Sequence, residues 1–193
     1  RAIVVVHYGG HACDMDPILD LAEARGIPVL EDVAHGAGGT YRGRKLGSLG
    51  ALGSFSFHAV KNLATGDGGM LTFSDPEYDA RLRRLRWVGI DKDTWDRSEI
   101  DHKYSWYYTV QELGWKYHMN DITAAIGLAQ LEKLDRGNAR RREIVAYYND
   151  RFSDLDCLET PVQKSYAGSA CHNYVIKLDR RDQLIAYLRD RNI

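Results

Sequence analysis

After Arg1 the chain opens on Ala2-Ile3-Val4-Val5-Val6, a β-branched run with no polar residue interleaved. Polar alternation marks a strand with one wet face, so its absence predicts a strand covered on both faces, as inside a parallel sheet. A helix is predicted next, with Asp16 as N-cap, Pro17 in the first turn, an apolar face of Ile18, Leu21 and Ala22, and Gly26 as its stop. Ile27-Pro28-Val29-Leu30 reads as a second strand, Ser54 to Phe57 as a third and Met70 to Phe73 as a fourth. Asp75-Pro76 starts another helix with Tyr78, Leu82 and Leu85 as its stripe. This succession predicts an α/β fold with a mostly parallel sheet flanked by helices.

The periodicity fails from Val88 to Glu112, where aromatic residues crowd in: Trp95, Tyr104, Trp106, Tyr107 and Tyr108. An excursion of that length is uncommon without a function. Its aromatic residues fit a substrate groove, or packing in a core or interface. A helix then runs from Asn120 or Asp121 to about Asp135, and a second from about Asn138 to Phe152. Cys157 to Ser169 is irregular, Asn173 to Leu178 reads as a strand and Arg181 to Arg191 as a helix, together the beginning of a smaller α+β C-terminal domain. The expected division is residues 1–120 for the large domain, 121–152 for connecting helices and 153–193 for part of the small domain. A core-type strand at the first residues and a helix end at the last predict the middle of a longer chain.

At roughly 150 residues per domain, 193 residues hold one domain, or one and part of a second. The formal net charge of −1 excludes a charge-driven nucleic-acid or anionic-membrane binder. No apolar run approaches the roughly 20 residues needed to span a bilayer, and the first residues lack the sections of a signal peptide. Cys13, Cys157 and Cys171 form no Cys-x-x-Cys pair and read as reduced thiols. A soluble, cytoplasmic protein is expected.

In an open parallel sheet, ligands gather beyond the carboxyl ends of the strands. Two such ends carry chemistry: Glu31-Asp32-Val33-Ala34-His35 after the second strand, and Ser56-Phe57-His58-Ala59-Val60-Lys61-Asn62 after the third. A carboxylate next to the core needs a cation or several donors, so Asp32 pairs with a ligand or makes a structural bond to nearby backbone. Lys61 is either a solvated surface lysine or, beside a glycine-rich stretch at Gly66, Gly68 and Gly69, a partly desolvated nucleophile. Ser56 is a strand hydroxyl bonded to backbone or a ligand. His7, His11 and Cys13 lack a second cluster to complete a zinc site, so no metal is expected. Gly47, Gly50 and Gly53 precede a strand instead of following one, unlike a dinucleotide-binding turn.

Four segments in order, Glu31 to His35, Gly47-Ser48-Leu49-Gly50, Ser54 to Asn62 and Gly66-Asp67-Gly68-Gly69, resemble the DegT/DnrJ/EryC1/StrS family of pyridoxal-phosphate-dependent sugar aminotransferases. Gly114 to Ile122, Ala124-Ala125-Ile126-Gly127, Gln130-Leu131, Leu134-Asp135 and Asn138 to Arg141 continue the series, so the resemblance covers nearly the whole chain. It implies the aspartate-aminotransferase-like fold, fold type I of the pyridoxal-phosphate enzymes. Family members are roughly twice this length. The resemblance makes this chain the central portion, without the small-residue loop that shares the cofactor phosphate, the residue that stacks on the ring and most of the small domain.

Carried over by position, Lys61 would form the Schiff base with pyridoxal 5'-phosphate and shuttle the proton, and Asp32 would pair with the pyridine nitrogen. His35 would contact the ring or its hydroxyl, Ser56 the phosphate, and His118 the phosphate of a neighbouring subunit in a homodimer. The implied reaction transfers an amino group from an amino acid, glutamate first, to a nucleotide-linked keto-deoxysugar. The alternatives are a sugar dehydratase of the same family, against which Lys61 argues because such relatives carry histidine there, and a non-enzymatic regulatory member of the fold.

Overall fold

The computed structural model describes residues 1–91 and 108–193. In chain order these hold β1 (Ile3–Val6), α1 (Met15–Glu23), β2 (Val29–Asp32), β3 (Thr40–Tyr41), β4 (Arg44–Lys45), β5 (Leu52–Ser56), β6 (Gly69–Phe73), α2 (Glu77–Arg86), α3 (Asp121–Phe152), β7 (Ala167–Gly168) and α4 (Arg181–Arg189). The main sheet has the order β1-β2-β5-β6, with β1, β2 and β5 parallel and β6 antiparallel to β5. A small second sheet, β4-β3-β7, brings the segment around Ala167 back to the hairpin at Thr40. The fold is α/β with a mostly parallel sheet, as the sequence predicts.

The covering of β1 differs from the expectation. Val5 is buried in the core that also holds Met15, Ala22, Val29, Val33 and Leu49, whereas Val4 and Val6 are 65% and 47% exposed. Val5 lies on the face covered by the described residues and Val4 and Val6 on the other, as alternation along a strand requires. Helix α1 begins at Met15 with Asp14 as its N-cap residue, not Asp16. The buried Tyr41 hydroxyl displaces the expected cap: it donates to Asp14 Oδ1 at 2.7 Å and accepts from the Asp16 N–H at 3.2 Å. Gly26 ends the helix at φ +58°, as predicted.

Where the sequence predicts two helices after residue 120, there is one of 32 residues, capped by Asn120 Oδ1 accepting from the Thr123 N–H at 2.9 Å. Gly137 costs about 1 kcal/mol relative to alanine in a helix interior. Burial of Leu134 and Asn138, one turn apart on either side of it, holds the helix against the loop at Ala37 and Gly38. At Gly38, φ is +80° and a Cβ would stand 2.5 Å from Asn138 Nδ2, so glycine is required on both counts.

The strand expected from Asn173 to Leu178 is absent. The His172 and Asn173 N–H groups both donate to Gly9 O, which takes the start of this segment away from a ladder, and only a bridge between Glu159 and Lys177 forms. Of the aromatic excursion, Trp95, Tyr104, Trp106 and Tyr107 lie outside the described residues. Tyr108, Trp115 and Tyr117 are exposed, and backbone bonds join Val88 to Trp115 and Arg86 to Tyr117 at the end of α2. Among the described residues no helix is long and apolar enough to cross a membrane.

Candidate active site

The register pairs Val6 with Asp32 and Asp32 with Ser54, so the chain leaves β1, β2 and β5 along one edge of the sheet. His7 and Tyr8 follow β1, Asp32 to His35 close β2, and β5 leads through Ser56 into the turn that carries Lys61. That turn is closed by the Lys61 N–H donating to His58 O at 2.9 Å. The Ser56 hydroxyl accepts from the His58 N–H at its start, at 3.4 Å.

Alternation along β2 sends neighbouring carboxylates to opposite faces. Glu31 is 1% exposed, while Asp32 is half-buried. The costly buried carboxylate of this strand is thus Glu31. It accepts from the Gly47, Leu49 and Gly50 N–H groups at 2.7 to 2.8 Å and from His7 Nε2–H at 3.0 Å. Burial pushes the Glu31 pKa up, but these bonds together hold it below the ordinary carboxylate value. Burial likewise disfavours a charge on His7, and its contacts with Cys13 and Glu31 pull its pKa upward. In the neutral ring its Nδ1 accepts from the Cys13 N–H at 3.2 Å, so the single proton of that form lies on Nε2, facing Glu31. The Gly47 to Gly50 segment is therefore a cradle built around one carboxylate. Gly50 has to be glycine because a Cβ would meet Val29 O at 2.5 Å.

Among the described residues Asp32 makes one side-chain hydrogen bond, from the Ala34 N–H to Oδ1 at 3.0 Å. His35 lies close enough to feel both Asp32 and Lys61: burial lowers its pKa, the Lys61 ammonium lowers it further, and Asp32 opposes them. His35 Nδ1 accepts from the Gly9 N–H at 3.3 Å, so the neutral ring carries its proton on Nε2. Asp32, His35 and Lys61 thus share one neighbourhood.

Tertiary structure adds groups to which the sequence reading gave no role. His172 stacks on His35 with ring centroids 4.4 Å apart and 27° between planes, and its Nδ1 lies 3.0 Å from Asn62 Oδ1. Asn62 Nδ2 donates to Ala170 O at 2.7 Å and to Asn138 Oδ1 at 2.9 Å, and Asn138 Nδ2 donates to Ala37 O at 2.9 Å. Both backbone carbonyls are acceptors only, which fixes the orientation of both amides. Asn62 Oδ1 therefore faces His172, whose Nδ1 has to be the donor. Burial, then His35, Lys61 and Arg141, lower the His172 pKa to about 4. The position of Asn62 directly after Lys61 was the one local signal; His172 had none.

His118 stands in a different neighbourhood. Its ring meets Trp87 edge-on at 4.2 Å, its Nδ1 is buried without a hydrogen-bond partner among the described residues, and Lys116 Nζ sits 3.7 Å from the Trp87 ring centroid. Burial, then Lys116 and Arg86, lower its pKa. His11 Nε2 accepts from the Lys164 N–H and its Nδ1 donates to Ala12 O. Among the described residues no cluster of three or more His, Cys, Asp or Glu is placed to hold a metal ion.

The model of the DegT/DnrJ/EryC1/StrS aminotransferase family matches residues 1–193. The chain is 43% identical over 196 residues to the spore coat polysaccharide biosynthesis protein SpsC of Bacillus subtilis, covering 98% of this chain and 50% of SpsC. Its fold is similar to that of the aminotransferase TlmJ from Streptoalloteichus hindustanus, with a TM-score of 0.89 at 36% identity over 99% of this chain and 50% of TlmJ. Spr1654 of Streptococcus pneumoniae, assigned as a sugar aminotransferase, is similar in its PLP form, with a TM-score of 0.87 at 26% identity over 100% of this chain and 53% of Spr1654. The chain spans about half the length of the curated relatives it matches.

Proposed function

The chain belongs to the DegT/DnrJ/EryC1/StrS aminotransferase family, and from that premise we propose that the whole protein is a pyridoxal-phosphate-dependent aminotransferase. It moves an amino group from an amino acid, glutamate first, to a keto group on a nucleotide-linked deoxysugar. The observation that carries this reading is the placing of Lys61, Asp32 and His35 together at the carboxyl ends of adjacent parallel strands. The names of SpsC and Spr1654 support the sugar, and the PLP form of Spr1654 supports the cofactor.

The residues present fit that cofactor as a donor set. Lys61 offers an amine to an aldehyde, and Asp32 a carboxylate oxygen to a protonated ring nitrogen. His35 offers an Nε2–H to a ring oxygen, and Ser56 a hydroxyl to a phosphate. When bound, pyridoxal phosphate supplies an electron sink that stabilises the carbanion left when a proton departs. Lys61 would take that proton at Nζ and return it on the neighbouring atom. Asp32 would hold the ring nitrogen in its protonated form by accepting its hydrogen bond.

In this reading residues 1–120 belong to the large domain, 121–152 connect, and 153–193 begin the small domain of a cytoplasmic homodimer. His118, with its unpartnered Nδ1 beside the Lys116 cation, serves the phosphate of the second subunit. Borohydride reduction of the loaded protein, followed by peptide mapping, is the direct test. The pyridoxyl label is expected on Lys61; a label on Lys45 or Lys116 overturns the assignment. Amino transfer from glutamate to a panel of nucleotide-linked ketosugars tests the substrate class.

A further inference from the structure

We propose that His172 is a positioning residue for Lys61: through its Nδ1–H bond to Asn62 it fixes the turn that presents the lysine amine. The inference rests on the reading of Lys61 given under Proposed function. Asn62 is the residue next to Lys61, and all of its side-chain polar atoms are engaged. Oδ1 accepts from His172, while Nδ2 donates to Ala170 O and to Asn138 Oδ1. Asn138 is itself 2% exposed and anchored to Ala37 O. The residue beside the lysine is thus tied directly to helix α3 and to the segment around residues 169–173, and through Asn138 to the loop after β2.

His172 is the outermost member of this relay, and it is held from two further directions. Its backbone N–H donates to Gly9 O at 2.9 Å, and its ring lies on His35. Gly10 permits that approach, since a Cβ there would stand 3.0 Å from the backbone nitrogens of both Cys171 and His172. The groups acting on the His172 ring are His35 from the loop after β2, Lys61 from the loop after β5 and Arg141 from α3, and all three disfavour a second ring proton. A neutral ring with its single proton on Nδ1 is the form that can donate to Asn62 without adding a positive charge beside the lysine amine. Loss of that donor leaves Asn62 Oδ1 unpaired and frees the Lys61 turn to sample other orientations. A reacting amine displaced by an ångström reacts far more slowly.

The test uses the whole protein, stripped of cofactor and then mixed with pyridoxal phosphate, and follows the growth of the Lys61-dependent visible band. His172→Phe keeps a ring for His35 but has no donor; His172→Asn keeps an N–H near the Nδ1 position but has no ring. Positioning through Asn62 predicts a rate about tenfold lower for His172→Phe, with most of it restored in His172→Asn. The reverse order, or a His172→Phe rate equal to that of the wild type, overturns the inference. If His172→Phe does not fold, the unmodified protein still decides: its histidine 15N–1H spectrum should show His172 as the Nδ1–H tautomer, unprotonated near neutral pH. An Nε2–H tautomer or a charged ring would overturn the proposal. Absence of any visible band that Lys61→Ala abolishes would instead overturn the cofactor reading, and this inference with it.

Discussion

Glu31 and Asp32 are adjacent carboxylates on one strand, and they sit in opposite chemical worlds. Glu31 faces the core, accepts from three backbone N–H groups and His7, and holds the Gly47 to Gly50 segment in place. Asp32 faces the open edge and accepts from the Ala34 N–H, beside His35, whose ring feels both this carboxylate and the Lys61 ammonium. A carboxylate whose acceptor sites are filled by its own chain has nothing left for a ligand. One with sites to spare at a strand end remains available to one. The difference separates a carboxylate saturated by its own chain from one with acceptor sites left over, and no property of the residue type distinguishes them.

The largest effect is expected on the open side. Lys61→Ala in the whole protein should lower amino transfer at least about 10⁴-fold, because no other group replaces the amine. Its melting temperature should stay close to the wild-type value; a large fall would put Lys61 among the structural residues with Glu31. On the closed side, Glu31→Ala should cost about 3 to 5 kcal/mol of stability, since it strands three buried N–H groups and a buried imidazole. Chemical denaturation measures this, and an unchanged midpoint would mean that the Gly47 to Gly50 segment stands without its carboxylate. Asp32→Asn should leave stability and cofactor retention near wild type while slowing the chemical step about a hundredfold. A larger isotope effect with an α-deuterated donor would locate the loss at proton abstraction. Turnover near that of the wild type would return Asp32 to the purely structural bond with Ala34.

The smallest effect is on pH dependence, and the two regions should separate by window. His172 titrates at about 4 when folded and at the ordinary 6.5 when unfolded, so the unfolded chain binds the proton first. Its contribution to stability is complete above about 6.5 and declines as pH falls towards 4. Glu31 has a lowered folded pKa, so its contribution is present above the ordinary carboxylate value and is lost only at more acid pH. Denaturation curves taken across this range should show His172→Asn flattening the upper limb and Glu31→Gln the lower. Flattening of the same limb by both would join the two clusters into one titrating unit.

Much of the candidate site was legible because its residues lie on two short stretches that end strands. Glu31 to His35 and Ser54 to Asn62 carry both the β pattern and the polar residues after it, and local pattern alone places Asp32, His35, Ser56 and Lys61 at the sheet edge. The inward and outward assignment of β2 was not legible. Glu31 and Asp32 are chemically equivalent in the sequence, and a register of one residue exchanges their faces. The same limit explains the helix after Asn120. Gly137 reads locally as a break, and only burial of Leu134 and Asn138 against a loop a hundred residues earlier carries the helix through it.

The sequence by itself determined the α/β class, the order of the strands along the chain and the residues at their carboxyl ends, because strand period, helix stops and glycine turns are written over a few neighbouring positions. Tertiary structure alone decided which carboxylate is saturated, that Tyr41 takes over the cap of α1, and that His172 reaches Asn62 across 110 residues. Those outcomes depend on which donors meet which acceptors once distant segments pack. A buried polar group accepts whichever partner the fold brings to it, and that pairing has no period for a sequence to display.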